Sequence, residues 1–500
     1  MKNYIFGRIL RSLLSIFLVT TLVYAIVYTM IPRNYIFKQD PSYSKNTATP
    51  DAKVNYESTV LQKMGYLQYW DSKTLLQKAK SQDKSITAEN TKANTKKYQA
   101  FLKQKGGDWK LGEFKKGGYY AIRNIPIYEQ VWNFYANLVV IDHPWKIQDK
   151  TNPNLKRYLR FENDKSIGWA LVGSGTQHRY MLYFNGIFPF VHQNFITFNL
   201  GTSYPSYKDQ AVLDVINNGQ GAADIKEQTF PTGVTKRSSV DIYTRTYQSP
   251  QLADRLAIEK FGKGDAYTKT QSYYQDPSMV VSSTIIGLVG LIIAYAAGIP
   301  LAMLMARYKN KTFDNVSTVA LTFLMALPSI ALIYIIRFLG SNVFGLPTVF
   351  TQYGALDWRS YVLPSLSLGI MSLSGVAVWV RRYLIDQQSS DYVRFARAKG
   401  LSESEVSRKH IFKNAMVPIV SGVPGAIIGV IGGATLTESI FAFPGMGKIL
   451  IDSVKASNNA MIIGIVFIFT VVSVISMLLG DLCMMLMDPR ITFTSGKGRK

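Results

Sequence analysis

The side chains able to carry chemistry are few in this chain, and their spacing suits none of the common reactions. His143, His178, His192 and His410 are scattered and form no metal-ligand cluster. The single cysteine, Cys483, has no partner for an internal disulfide. No nucleophile–base signature occurs, and no Gly-x-x-x-x-Gly-Lys-Ser/Thr loop that would cradle phosphate. Gly445-Met446-Gly447-Lys448 has the residue types without the spacing. Catalysis by this chain, ATP hydrolysis included, is not expected, and neither is a cofactor bound to it. Two features remain. Asp481 is a lone carboxylate within an apolar run, about 10 Å from its end at ~1.5 Å per residue. Such a group is either functional or paired inside a bundle. The stretch 391–418, DYVRFARAKGLSESEVSRKHIFKNAMVP, is charged and helix-forming between apolar neighbours. Its chemistry is recognition and the transmission of force.

Turn residues give that stretch a fixed shape. The pattern predicts a helix from Asp391 through Phe395 to Lys399. Gly400 supplies the left-handed residue that ends it. Ser402, with Glu405 three residues on, is a capping box that starts a second helix, expected to run to about Met416. Pro418 then falls near the first turn of the next apolar run. Two helices meeting at Gly400-Leu401 form a protruding elbow. Ala396 and Ala398 are small enough for a partner surface to approach, and Arg394, Arg397 and Lys399 offer it charge. The plainer alternative is a basic loop that only anchors the chain.

The elements around it are apolar. Six runs, 9–31, 279–306, 316–339, 361–380, 417–436 and 461–487, each approach or exceed the ~20 residues that cross a ~30 Å hydrocarbon core. Short basic loops mark the cytoplasmic side. Lys2, Arg8 and Arg11 lie at the first run, and Arg307, Lys309 and Lys311 between the second and third. Eight Lys and Arg lie between the fourth and fifth, and four follow the sixth. The opposite loops hold only Arg337, Arg359, Lys448 and Lys455. Both termini are therefore expected in the cytoplasm and 32–277 outside. Of the net charge of +24, half belongs to 32–277, a long segment exempt from the rule. The first run is too long for the core of a signal peptide, and no small-x-small cleavage site precedes Pro32-Arg33. A nucleic-acid partner is not expected; basic loops that anchor to a membrane account for the charge.

The expected fold is an all-α polytopic membrane protein of six transmembrane helices, with a large α+β extracellular domain inserted between helices 1 and 2. Its parts are 1–31 (cytoplasmic N-terminus and first helix), 32–277 (outer domain), 278–487 (five-helix core with the loop 391–416) and 488–500 (cytoplasmic tail). Within 32–277, residues 56–104 show helical periodicity, and Pro126 is expected at the first position of a helix carrying Ile127, Val131, Phe134 and Leu138 on one face. Gly173-Ser174-Gly175-Thr176 signals a hairpin, and Val240, Ile242 and Thr244 alternate as in a strand. Pro300, Pro328 and Pro364 are kink candidates, and Arg337 is expected to snorkel. The loop 441–447, FAFPGMG, is either part of an outer mouth or an interfacial aromatic anchor.

The elbow residues Ala396–Glu403, preceded by Asp391-Tyr392-Val393-Arg394, resemble the cytoplasmic loop of permease subunits from peptide-importing ABC transporters. Further matching pieces follow in order: Tyr4–Arg11, Leu200-Gly201-Thr202-Ser203, Gly298-Ile299-Pro300-Leu301, Leu327-Pro328-Ser329, Leu363-Pro364, Glu438-Ser439-Ile440-Phe441, Phe443-Pro444-Gly445-Met446-Gly447 and Asp488-Pro489-Arg490. The large insert is similar to that of the Ami-type oligopeptide permeases of streptococci. Where general importers begin the loop with Glu-Ala-Ala, this chain reads Arg394-Phe395-Ala396, as peptide permeases do. The resemblance implies a type I importer fold and half of a translocation pathway. It implies coupling to an ATPase through Arg394, Phe395, Ala396, Arg397, Ala398, Lys399, Gly400, Leu401 and Glu405. It puts Phe441, Phe443, Pro444 and Gly445 near the outer mouth; Pro328, as a kink, and Asp481, as a carboxylate within a span, are further pathway candidates on physical grounds. The implied partners are a second homologous permease, two cytoplasmic ATPases that bind ATP and Mg, an extracellular oligopeptide-binding lipoprotein, the peptide and the bilayer. The competing classes are a membrane-anchored peptide receptor whose external domain binds ligand, and a secretion or wall-assembly scaffold working without ATPases.

Overall fold

The computed structural model describes residues 2–147, 149, 152–187 and 190–487. The segment 488–500, read as a tail and including Asp488-Pro489-Arg490, lies outside the described residues. Among the described residues, five helices are long and apolar enough to cross a membrane, and one bent pair makes up to six. In chain order the bundle comprises α1 (Lys2–Met30), α2 (Met279–Arg307), the pair α3 (Thr312–Ala326) and α4 (Ser329–Phe344), α5 (Arg359–Gln388), the short α6 (Asp391–Ala398), α7 (Lys413–Gly433), two short helices α8 (Thr435–Ile440) and α9 (Met446–Lys455), and α10 (Asn459–Met487).

The run 316–339 is not one straight span. α3 and α4 bend by 106° at Leu327-Pro328. Proline disfavours the helical conformation in the residue before it, and Leu327 is extended, with φ −66° and ψ 133°. Pro300 and Pro364 instead lie inside helices assigned without a break. α2 packs along α5 so closely that a side chain at Gly290 or Gly369 would strike the opposite helix. Such small-residue contacts let membrane helices approach.

α1 and α10 run antiparallel in register. Arg8 pairs with Asp481 at one end at 2.6 Å. Val27 and Tyr24 pack with Ile462 and Ile463 at the other. Nineteen residues separate Arg8 from Val27, and nineteen separate Ile462 from Asp481, so both helices rise equally between the contacts.

The polar segment between α1 and α2 is α+β. Leu67–Trp70, Trp109–Glu113 and Tyr119–Asn124 form a three-stranded antiparallel sheet. Helices Pro50–Lys63, Ser72–Lys80 and Lys92–Lys105 surround it. The helical periodicity of 56–104 is therefore interrupted by a strand. Gly65, at φ +78°, turns the chain out of the first helix. A four-stranded antiparallel sheet follows, from Tyr158–Asp164, Gly168–Ser174, Tyr180–Phe184 and Val191–Gln193. Of the Gly173–Thr176 signal, Gly173 and Ser174 end its second strand and Gly175 and Thr176 begin the connection to its third, and Val240–Thr246 is a strand. Pro126 is extended (ψ 152°), and the helix after it begins one residue later, at Ile127–Ala136. Two hydrophobic cores, around Tyr66 and around Leu75, hold the first sheet; a third, around Ala170 and Val172, holds the second.

Candidate functional site

α6 buries one face and exposes the other. Val393 and Ala396 pack into a cluster with Ala302, Ala306, Val380, Leu384, Val406 and Ile411. Arg394, Phe395, Arg397, Ala398 and Lys399 are exposed. Ala396 therefore seats α6 on the bundle and is not free for a partner, whereas Ala398 is. Phe395, 69% exposed, is the aromatic at the centre of the free face.

The turn after α6 is built from backbone. Leu401 N–H donates to Ala396 O (3.4 Å) and Gly400 N–H to Arg397 O (2.9 Å). This is the paired-bond helix stop that needs a left-handed residue. Gly400 supplies it at φ +78°, with open space around it. Arg397 reaches across the turn to Glu403 at 2.8 Å. Ser402 Oγ accepts from Glu405 N–H at 3.4 Å, one half of the predicted capping box. Leu401 and Glu405 are half-buried behind the turn.

The helix that starts at Glu403 does not stop at Met416. It passes through a wider π-helical segment, Val406–Phe412, and continues as α7, so that Glu403–Gly429 is one long apolar helix. Ile411, Ala415 and Ile419 are buried along one side of this continuous helix, and the end expected at about Met416 is not found. The second arm of the elbow is thus the first part of a helix long and apolar enough to span a membrane.

The loop 441–447 lies elsewhere and is packed inward. Phe441 and Phe443 are buried, with Phe443 against Phe350 (ring centroids 4.8 Å) and Tyr361 (5.5 Å). Phe350 N–H donates to Phe441 O at 2.8 Å. Pro444 is half-buried. Gly445 is required by close approach, because a Cβ there would overlap the Glu438 carboxylate. Glu438, fully buried, accepts from Ser283 Oγ (2.6 Å) and Lys448 N–H (2.8 Å), and Ser283 Oγ accepts from Met446 N–H (2.8 Å). This carboxylate ties the loop to α2. Sequence reasoning quoted Glu438 only as part of a motif; an acidic residue two positions from an apolar run was the signal. Arg337 donates to Ile440 O at 3.2 Å.

The remaining candidates stand apart. Pro328 is at the α3–α4 bend, and Asp481 is paired with Arg8. A cavity of about 290 Å³ opens within the bundle, lined by Leu291, Tyr295, Leu368, Met371, Ser372, Val376, Ala426 and Gly429. None of the residues singled out from sequence lines it. Its lining is mostly apolar, with one hydroxyl and one phenol as polar groups.

The sequence matches, over residues 298–493, the family described as the binding-protein-dependent transport system inner membrane component. It is 60% identical over 500 residues, all of both chains, to the oligopeptide transport system permease protein AmiC of Streptococcus pneumoniae. It is 28% identical over 232 residues, 46% of this chain and 75% of the relative, to the dipeptide transport system permease protein DppB of Lactococcus lactis. A solved MetNI methionine ABC transporter chain matches 42% of this chain and 94% of its own length, at 15% identity and a TM-score of 0.35. With 60% identity maintained along its full length, the chain belongs to the binding-protein-dependent transport permeases, the multi-pass membrane subunits of ABC transporters.

Proposed function

We propose that this chain is the permease subunit of an ATP-driven oligopeptide importer and forms half of its translocation pathway. It crosses the membrane six times, with α3 and α4 counted as one broken span. Both termini are cytoplasmic and 32–277 is outside. It works with a second homologous permease, two cytoplasmic ATPases that bind ATP and Mg, and an extracellular oligopeptide-binding lipoprotein. The 60% identity to an oligopeptide permease supports the substrate class.

One observation carries the mechanism: the exposed face Arg394–Lys399 is joined through a fixed turn to a helix that continues into a span. The cations Arg394 and Lys399, with Phe395 between them, give an ATPase groove a charged and aromatic surface. Closure of the ATPases moves α6, and the turn passes that movement to α7. Access to the cavity lined by Tyr295, Met371 and Ala426 then alternates between the two sides.

The test replaces Gly400→Pro and, separately, Ala398→Trp. The expected result is normal membrane insertion with loss of labelled-peptide uptake. Uptake at the unaltered level in both variants would overturn the coupling assignment.

A further inference from the structure

The segment 127–141 lies alongside the spans, and not above them. Tyr135 Oη is 3.0 Å from Thr21 Oγ1 and donates to Phe17 O at 3.1 Å. Phe17 is thirteen residues inward of Met30, about 20 Å at 1.5 Å per residue and well inside the apolar helix Phe6–Met30. Phe134 packs on Tyr24 (5.6 Å) and on Phe467 of α10 (6.3 Å). Phe467 is itself eight residues inward of Asn459, about 12 Å. Measured from Met30 and Asn459, these contacts run helix Ile127–Ala136 down along the spans, with Phe134 at the depth of the outer half of a ~30 Å hydrocarbon layer and Tyr135 reaching its middle.

The face of this helix turned away from α1 and α10 is aromatic. Tyr128 and Trp132, one turn apart, are 74% and 73% exposed. The chain continues into strand Val139–Ile141, paired with Ile196–Phe198 in the register Val139↔Phe198 and Ile141↔Ile196. All four of those residues are exposed on one side of the ribbon. The polar groups of the helix are turned elsewhere or are satisfied. Glu129 pairs with Arg123, and Gln130 donates to Ile125 O at 2.7 Å. Gln130, Asn133 and Asn137 line a cavity of about 170 Å³ shared with Lys63 and Asn199. An amphipathic helix with Trp and Tyr on its outer face is the pattern of an element that rests in lipid. The bundle cavity is lined from α2, α5 and α7 and not from α1, so this flank lies away from it.

We infer that the polar domain is keyed into the outer leaflet by Tyr128, Trp132, Val139, Ile141, Ile196 and Phe198, with lipid acyl chains as their partner. The domain is then held to the membrane by this face as well as by α1 and α2. The inference rests on the outside placement of 32–277, which is tested separately by protease or impermeant-label access to Lys84 and Lys92 in intact cells.

The experiment uses the assembled transporter in phospholipid nanodiscs. In a Cys483→Ser background, single cysteines at Trp132→Cys and Phe198→Cys carry a nitroxide, with Leu252→Cys as an exposed control in the same domain. Expected are high collision rates with oxygen and low rates with a water-soluble nickel chelate at 132 and 198, and the reverse at 252. Nickel access at 132 equal to that at 252 would overturn the inference, and so would exclusion of both probes, which marks a protein contact. As a label-free check, brominated phospholipids quench part of the tryptophan emission, and Trp132→Phe removes a measurable share of that quenching. An unchanged quenched share would count against lipid contact.

Discussion

Arg381 grips Asp314 with two hydrogen bonds of 2.6 Å, and Asn310 N–H adds a third to the same carboxylate at 2.9 Å. The carboxylate is 1% exposed, so this bond fixes the start of α3 against α5. Removing one partner from such a pair leaves an uncompensated buried charge, at a cost of about 3 kcal/mol or more. Arg381→Ala is therefore expected to lower the melting temperature of the detergent-solubilised transporter by several degrees. Arg381→Leu combined with Asp314→Leu should recover most of that loss. A double variant no more stable than the single one would show that the pair is not the cause.

Phe395 and Ala396 are neighbours on opposite faces of α6, and their substitutions should fail differently. Phe395→Ala is expected to leave the permease folded while the co-purifying ATPase falls at least tenfold. Ala396→Leu overpacks the cluster with Val380 and Leu384, at about 1–3 kcal/mol, and should reduce permease yield first. Equal loss of ATPase at unchanged permease yield in both variants would contradict this orientation of α6.

Gly400 has open space around it and a left-handed backbone, so its replacements should rank by backbone alone. Gly400→Asn is expected to retain most uptake. Gly400→Ala should cost about 1–2 kcal/mol of local stability and retain less. Gly400→Pro should retain none. A peptide-uptake series that failed to rank in this order would indicate that the turn opens during the cycle.

Asp40 lies at the base of the polar domain with its side chain fully buried. It accepts from Tyr204 Oη (2.6 Å), from Tyr56 Oη and from Ser42 N–H (2.9 Å), with Lys208 at 3.5 Å. Burial pushes its carboxyl upward, but these donors and the Lys208 charge outweigh burial and hold it below its ordinary value. A depressed folded pKa gives stability that is present above the unfolded value, near 4. That stability is lost as pH falls through the folded value. Asp40→Asn should cost about 1–3 kcal/mol at neutral pH, and the gap to the unaltered chain should shrink below about pH 4. Thermal melts at pH 7 and pH 3.5 read this directly; a gap unchanged with pH would rule the carboxylate out.

The sequence made the bundle and the elbow legible because both are written in local terms. An apolar run needs only length, and Gly400 with Ser402 needs only turn chemistry. Asp481 was visible as an isolated charge, and Arg8 as a basic residue near the other terminus. Their pairing was not visible, because 473 residues separate them in the chain. The α3–α4 bend lay half in view: Pro328 marked the place, while its 106° angle depends on what α4 packs against. Ala396 was misread as free since a small side chain suits both a buried face and a docking face. The cavity lining escaped altogether. Leu291, Met371 and Ala426 are ordinary apolar residues whose common surface exists only once three helices meet.

The unbroken course from Glu403 to Gly429 has a mechanical consequence. Twenty-seven residues make a lever about 40 Å long at ~1.5 Å per residue. A sideways push of about 5 Å at its inner tip turns such a rod by roughly 7° when it pivots at the far end. The π-helical turns Val406–Phe412 lie close to the end that the proposed coupling would load, where a looser winding can absorb a small mismatch. Pro418 and Pro424 each leave out a hydrogen bond further along the same helix, so under the proposed coupling the rod can give at three places and not at its loaded end alone.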